Sequence, residues 1–249
     1  MIGSGAGSEP ALGGLQGTTA LVAGASRGIG LAVARGRVQA GAWVGMIARD
    51  AALLARAADE VGGHAISADV SLPADVNRVA TYTLELLGGD APDLLVNAAG
   101  SFTLAPLAET DPSAFDAQLA ANLRGPFLMM RAFLPPMLRR GSGHVINVGS
   151  VAGRVALPGN AAYAASKFGL RGLHEVLAEE VRGTGVRATL VEPAATDTSL
   201  WDAIDPAAAE GLPDRAAMLR ADDVARAILF AAAQPRGVEI PLLSIRSTR

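Results

Sequence analysis

Short apolar runs rich in Val, Leu, Ile and Ala alternate along the chain with longer Ala/Leu-rich segments in which apolar positions recur at helical spacing. The runs at residues 18–23, 42–48, 64–67, 94–96, 144–148, 186–191 and 238–242 predict seven strands. Between them, helices are predicted from a Gly-rich turn to about residue 39, and over 51–61, 74–87, 114–139, the stretch around residues 163–167, and 222–233. Strands apolar on both sides, separated by helices, imply a parallel sheet covered on both faces. Right-handed crossovers then make it a doubly wound α/β fold that binds ligands at the carboxyl ends of its strands. No Pro/Gly-rich linker divides the chain and no internal repeat is visible, so residues 15–249 read as one domain. Residues 1–14, dominated by small side chains, read as a flexible tail.

Composition narrows the function. With 249 residues, 50% hydrophobic and 18% charged, the chain can bury a large core, and global disorder is excluded. A net charge of −3 argues against a nucleic-acid partner. The absence of cysteine removes disulfides, thiolate catalysis and Cys-zinc sites. His64, His144 and His174 are scattered, so no metal site is expected. The start has neither a basic segment nor an apolar core, and apolar runs are broken by Arg or Pro before they could span a bilayer. A soluble cytoplasmic protein with no membrane partner is expected.

Chemistry concentrates in a few places. The first strand runs into Gly24-Ala25-Ser26-Arg27-Gly28-Ile29-Gly30 and then a helix. Gly24 suits a tight turn, Gly28 lets backbone approach a pyrophosphate, and Gly30 permits close helix–strand packing. The helix N-terminus would meet phosphates with free N–H groups. Further on, Tyr163 and Lys167 stand four residues apart, hence on one helix face, with Ser150 upstream. An ammonium beside a phenol favours the phenolate and brings an acid–base group nearer neutral pH.

Together with Asn97-Ala98-Ala99-Gly100, Asn122, Asp69-Val70, and Pro193 with Thr198, these motifs resemble the short-chain dehydrogenase/reductase family from Gly17 onward. The resemblance implies a Rossmann fold and an oxidoreductase that interconverts a carbonyl and an alcohol. Within it, Tyr163 would be the general acid–base. Lys167 would lower the Tyr163 pKa and bind the nicotinamide ribose, and Ser150 would hydrogen-bond the reacting oxygen. Asn122 would kink its helix and hold a water linked to Lys167. Asn97, Ala98 and Gly100 would line the adenine-ribose side, Asp69 and Val70 the adenine, and Pro193, Thr196 and Thr198 the carboxamide. Ala194 stands where the family usually has Gly, and Ala23 where it commonly has Thr.

Cofactor choice turns on the end of the second strand. Arg49, with Arg27 as a second contact, suits the 2′-phosphate of NADP(H) through bidentate geometry. Asp50 is the rival and would favour NAD(H). Residues 198–221, with Leu200, Trp201, Ile204, Leu212 and Met218, match the family's variable substrate lid. Phe102, Thr103, Arg154, Val155 and Leu157 would flank the pocket, with Arg154 read as a solvated loop residue. The C-terminus lacks the Gly-rich ending common in 3-oxoacyl-carrier-protein reductases, which lowers that reading. A non-catalytic dinucleotide sensor is the other alternative, though sensors usually lose the Tyr or Lys. The family forms dimers and tetramers, so a homo-oligomer is expected, and residues 126–130 fit either core or interface.

Overall fold

The computed structural model describes residues 15–204 and 212–248, so the expected tail over 1–14 and part of the expected lid lie outside the described residues. The chain runs β1 (Thr19–Ala23), α1 (Gly28–Gln39), β2 (Trp43–Ala48), α2 (Ala51–Val61), β3 (His64–Ser67), α3 (Pro73–Leu86) and β4 (Leu94–Asn97). It continues with α4 (Pro112–Leu119), α5 (Gly125–Arg140), β5 (Gly143–Val148), α6 (Ala161–Val181), β6 (Val186–Pro193), β7 (Thr196–Asp197), β8 (Leu219–Arg220), α7 (Ala221–Ala232) and β9 (Leu242–Ile245). Seven strands form one parallel sheet in the order β3-β2-β1-β4-β5-β6-β9.

Two-sided burial explains the continuous apolar runs. In β1, Ala20 and Val22 face one core while Leu21 and Ala23 face the other, and all four are buried. Leu94 and Val96 of β4 oppose Leu95 in the same way. The first core packs against α1, α2 and α7, the second against α3, α5 and α6. The connection order reverses beside β1, and that switch point opens the crevice at the carboxyl ends of β1 and β4.

Two elements differ from the sequence reading. The edge strand is Leu242–Ile245 rather than residues 238–242. Side chains, not a ladder, occupy 238–240: Arg187 Nη1 donates to the Val238 carbonyl, Ala188 N–H to Glu239 Oε1 and Thr189 Oγ1 to the Ile240 carbonyl. Pro241 has no N–H to give, and its carbonyl accepts from Leu190 before regular pairing begins. The helix expected over 114–139 is interrupted by a π-helical turn at Ala120–Arg124 between α4 and α5. The short pair β7–β8, too brief to show a period, joins the two ends of the segment expected as a lid.

His144 and His174 are buried at 3% and 4% exposure, and burial pushes them down to about 3 and about 4. Each stays neutral in the fold but takes a proton in the open chain below its ordinary value of 6.5. The unfolded state therefore binds more protons in this window, so stability is full above pH 6.5 and falls as pH drops towards 4. Urea unfolding at about pH 4.5 should show roughly 2–3 kcal/mol lost per histidine relative to pH 8. Stability that stays flat across this range would contradict neutral buried rings.

Candidate active site

The glycine turn is shaped by contact. Gly24 has φ +81, and a Cβ there would lie 2.6 Å from the Ala99 Cα. A Cβ on Gly30 would lie 2.2 Å from the Gly24 carbonyl oxygen, so α1 packs against the turn only without one. Arg27 precedes α1 in extended geometry, with no side-chain cap and no acidic residue in the first turn. The helix thus presents uncapped N–H groups to a solvent-open cleft of about 1080 Å³. Gly24, Ser26–Gly30, Arg49, Asp69, Val70, Ala98, Gly100 and Thr198 line it. A Cβ on Gly28 would project to within 3.3 Å of Thr198 Cγ2, into the space between the turn and the following loop. A bare cradle, uncapped amides and an exposed guanidinium fit a dinucleotide diphosphate.

At the cleft's rim Arg49 is 69% exposed and lies 3.9 Å from Asp69 Oδ2. Asp50 also lines the cleft, but its Oδ1 accepts the Leu53 N–H at 2.9 Å as the N-cap of α2. Asp69 Oδ1 accepts from Ser71 N–H and Oγ. Asn97 is the exception among the expected cofactor residues. Its side chain is buried, donates to Asn147 Oδ1 at 2.8 Å, and ties β4 to β5 instead of lining the cleft. Asn97 is the last residue of β4, and the cleft is lined instead by the residues that follow the strand, Ala98, Ala99 and Gly100.

A second cavity of about 1140 Å³ continues the first, sharing Ile29, Ala98, Gly100, Thr198 and Leu200 with it. Ser150, Tyr163 and Lys167 meet there, with Pro193 and Thr196 on its wall. Ser150 follows β5, and its Oγ accepts the Ala152 N–H at 3.1 Å, capping a 3-10 turn. Tyr163 and Lys167 project from the first turns of α6. Lys167 Nζ donates to the Val148 carbonyl at 2.8 Å and lies 5.6 Å from the Tyr163 ring centroid.

Electrostatics in this pocket run against the expectation of a lowered phenol. Burial pushes Tyr163 up to about 12, with the Ser150 hydroxyl pulling the other way, and burial pushes Lys167 down to about 8. Desolvation dominates for the phenol, and the Lys167 ammonium is directed at the Val148 carbonyl. In the protein alone the phenol is a held proton.

Around it the wall is apolar and aromatic. Phe102 meets Tyr163 edge-on at 4.8 Å and Trp201 at 5.0 Å, while Trp201 Nε1 donates to the Thr196 carbonyl. Leu200, Trp201 and Leu212 from the expected lid line the cavity, as does Leu157. Met218 is instead buried at 2%, and Thr103 is bonded to Gln118. Asn160, unremarked in the sequence, lines the cavity with its Oδ1 unpartnered.

Asn122 is buried inside the π-helical turn and does not line the cavity. Its Oδ1 accepts the Ser101 N–H, and its Nδ2 donates to the Ser101 carbonyl and Ser166 Oγ. It ties the loop after β4 to α6 next to Lys167. Arg154 is exposed, as expected of a loop residue, and it is also ion-paired. Its Nε donates to Glu192 Oε2 at 3.0 Å and its Nη2 to Ser244 Oγ, while Arg171 Nη1 reaches Glu192 Oε1 at 2.6 Å. Glu192 is a carboxylate at 1% exposure between two guanidiniums. Its apolar neighbours in β6 hide this role in the sequence.

Residues 18–209 match the family model for short chain dehydrogenase. The chain belongs to the short-chain dehydrogenase family. It is 37% identical over 227 residues to a D-threitol dehydrogenase of Mycolicibacterium smegmatis, covering 88% of this chain and 86% of that one. A metagenomic short-chain oxidoreductase solved with NADP superposes with a TM-score of 0.80 at 35% identity, covering 95% of this chain and 99% of the other. An alcohol dehydrogenase from Thermococcus sibiricus, complexed with 5-hydroxy-NADP, superposes at 0.83 with 27% identity over 94% of this chain and 97% of its own. As a short-chain dehydrogenase the protein is an alcohol/carbonyl oxidoreductase that binds a nicotinamide dinucleotide. Among the described residues no helix is long and apolar enough to cross a membrane.

Proposed function

We propose that the protein is an NADP(H)-dependent oxidoreductase that interconverts a carbonyl and an alcohol of a small molecule, with Tyr163 as the general acid–base. The observation that carries this reading is the convergence of Ser150, Tyr163 and Lys167 on a cavity continuous with the glycine cleft. The nicotinamide supplies or accepts the hydride when bound. Tyr163 holds the proton that a carbonyl oxygen needs as it becomes an alcohol, and Ser150 offers that oxygen a hydrogen bond. Lys167, deprotonating near 8, sits beside the phenol to return its proton. Asn122 holds the loop after β4 and α6 in register. Residues 198–221 act as the substrate lid, and the protein works in the cytoplasm as a dimer or tetramer.

Three facts support NADP over NAD. Arg49 is exposed at the cleft, Asp50 is engaged as a helix cap, and two structural relatives carry NADP-type ligands. Arg27 also lines the cleft beside the phosphates' expected place. A charge-assisted pair of this kind contributes about 1.5–3 kcal/mol. Arg49→Ala should therefore weaken NADPH binding about 10- to 100-fold and leave NADH binding nearly unchanged, read by fluorescence titration of both. An unchanged NADPH preference removes Arg49 from the account. A sensor of the same fold would bind NADPH and consume none with any carbonyl. A 3-oxoacyl-carrier-protein reductase would favour β-ketoacyl thioesters in such a screen.

A further inference from the structure

Phe102, Leu104, Leu157, Leu200, Trp201 and Leu212 give the cavity at Tyr163 a wall of large apolar side chains. They come from three places: the loop after β4, the loop before α6 and the segment between β7 and β8. Leu157 is 50% exposed, and Phe102, Leu104 and Leu200 are partly exposed, so the protein leaves this apolar surface uncovered. Apolar surface left open in a concavity beside reactive groups suits an apolar ligand.

Phe102 joins this wall to the chemistry. Its ring meets Tyr163 edge-on at 4.8 Å and Trp201 edge-on at 5.0 Å. Trp201 is fixed in turn, since its Nε1 donates to the Thr196 carbonyl at 3.1 Å. A carbonyl whose oxygen sits at the Tyr163 hydroxyl brings its substituents up to rings already held in place, so their contact requires little further ordering.

Polar recognition is scarce by comparison. Among the described residues the lining holds no carboxylate and no guanidinium, and the Lys167 ammonium donates to the Val148 carbonyl. Thr196 gives its hydroxyl hydrogen to the Ala194 carbonyl, and Thr198 Oγ1 accepts from the Leu200 N–H. Asn160 is 5% exposed with an inaccessible Oδ1, so that oxygen is no acceptor for a substrate. Arg154, on the turn after Ser150, is committed to Glu192 and Ser244. The hydroxyls of Ser150 and Tyr163 serve one reacting oxygen. Further hydroxyls or a carboxylate on the substrate would enter short of partners, and that is disfavoured.

We propose that Phe102 and Trp201 set the substrate class: an uncharged ketone or aldehyde, or the matching alcohol, that bears an aryl or bulky alkyl group. Polyhydroxylated and anionic carbonyls are selected against. This assignment rests on the hydride-transfer reading of the same site.

Three ketones built on one skeleton test it: 4-phenylbutan-2-one, butan-2-one and 1,3,4-trihydroxybutan-2-one, each reduced with NADPH under the same conditions. The phenyl ketone is expected to have kcat/KM at least about thirtyfold above butan-2-one, and the trihydroxy ketone about tenfold or more below it. Phe102→Ala should lower the phenyl-over-butanone ratio at least about tenfold, a comparison in which the intrinsic reactivity of each ketone cancels. Leu157 is half-exposed, so Leu157→Asn keeps the fold and should lower the same ratio about threefold or more. The proposal is overturned by no turnover of the phenyl ketone, or by a trihydroxy ketone reduced as well as the phenyl one. An unchanged ratio in an active Phe102→Ala overturns it too, as does an unchanged ratio in Leu157→Asn should Phe102→Ala lose all turnover. Turnover that vanishes in Tyr163→Phe yet follows no such preference removes the substrate assignment and leaves the hydride-transfer reading standing.

Discussion

Tyr163→Phe is expected to lower kcat about 100- to 10,000-fold while NADPH affinity stays within about twofold. The substitution removes one oxygen and leaves the ring that Phe102 packs against at 4.8 Å, so the cavity keeps its shape. What disappears is the proton that burial holds on the phenol, with its ordinary ionisation pushed up to about 12. Ser150 also has a hydroxyl in the cavity, but its oxygen caps the turn at Ala152. Turnover is read by NADPH consumption and affinity by direct titration, which separates lost chemistry from a lost site.

Glu192→Ala is expected to destabilise the protein by about 3 kcal/mol, the low end for breaking a buried ion pair. The low end applies because Arg154 and Arg171 are 32% and 30% exposed and can turn towards water once the carboxylate is gone. For a chain of this size the loss corresponds to a drop in Tm of roughly 6–12 °C. Glu192→Gln keeps hydrogen-bonding capacity without the charge and should fall between the two. The effect reaches the site because Arg154 follows Ser150 on the same turn, Arg171 lies one helical turn beyond Lys167, and Glu192 adjoins Pro193. Thermal and urea unfolding check the prediction; a change below about 1 kcal/mol means the clamp is idle.

The strands were legible in the sequence wherever burial on both faces forced a continuous apolar run, as in β1, β4 and β5. The final strand was misplaced because Val238 and Ile240 look like a strand, whereas their carbonyls are taken by Arg187 and Thr189 side chains. No local pattern carries that information. The glycine turn, Tyr163 and Lys167 stand out because their spacing follows from backbone contact and helix period, whereas Ser150 stands out only through the family resemblance. The electrostatics of Tyr163 and Lys167 do not: a neighbouring ammonium reads as an activator until the burial of both groups is known. Asn97 illustrates the converse, since a motif names a residue but only its partner Asn147, fifty residues away, shows that its side chain ties β4 to β5. Glu192 and Asn160 were invisible because single polar residues acquire meaning only from partners distant in sequence.

The most direct test runs wild type and Tyr163→Phe side by side for NADPH consumption over a panel of ketones, aldehydes, β-ketoesters and quinones. The account predicts wild-type turnover with at least one member, preferentially an apolar or aromatic carbonyl that suits the wall of Phe102 and Trp201. It also predicts near-total loss of that turnover in the variant, with NADPH still bound. Turnover at the wild-type rate in Tyr163→Phe, or NADPH binding with no consumption by either protein, would contradict it.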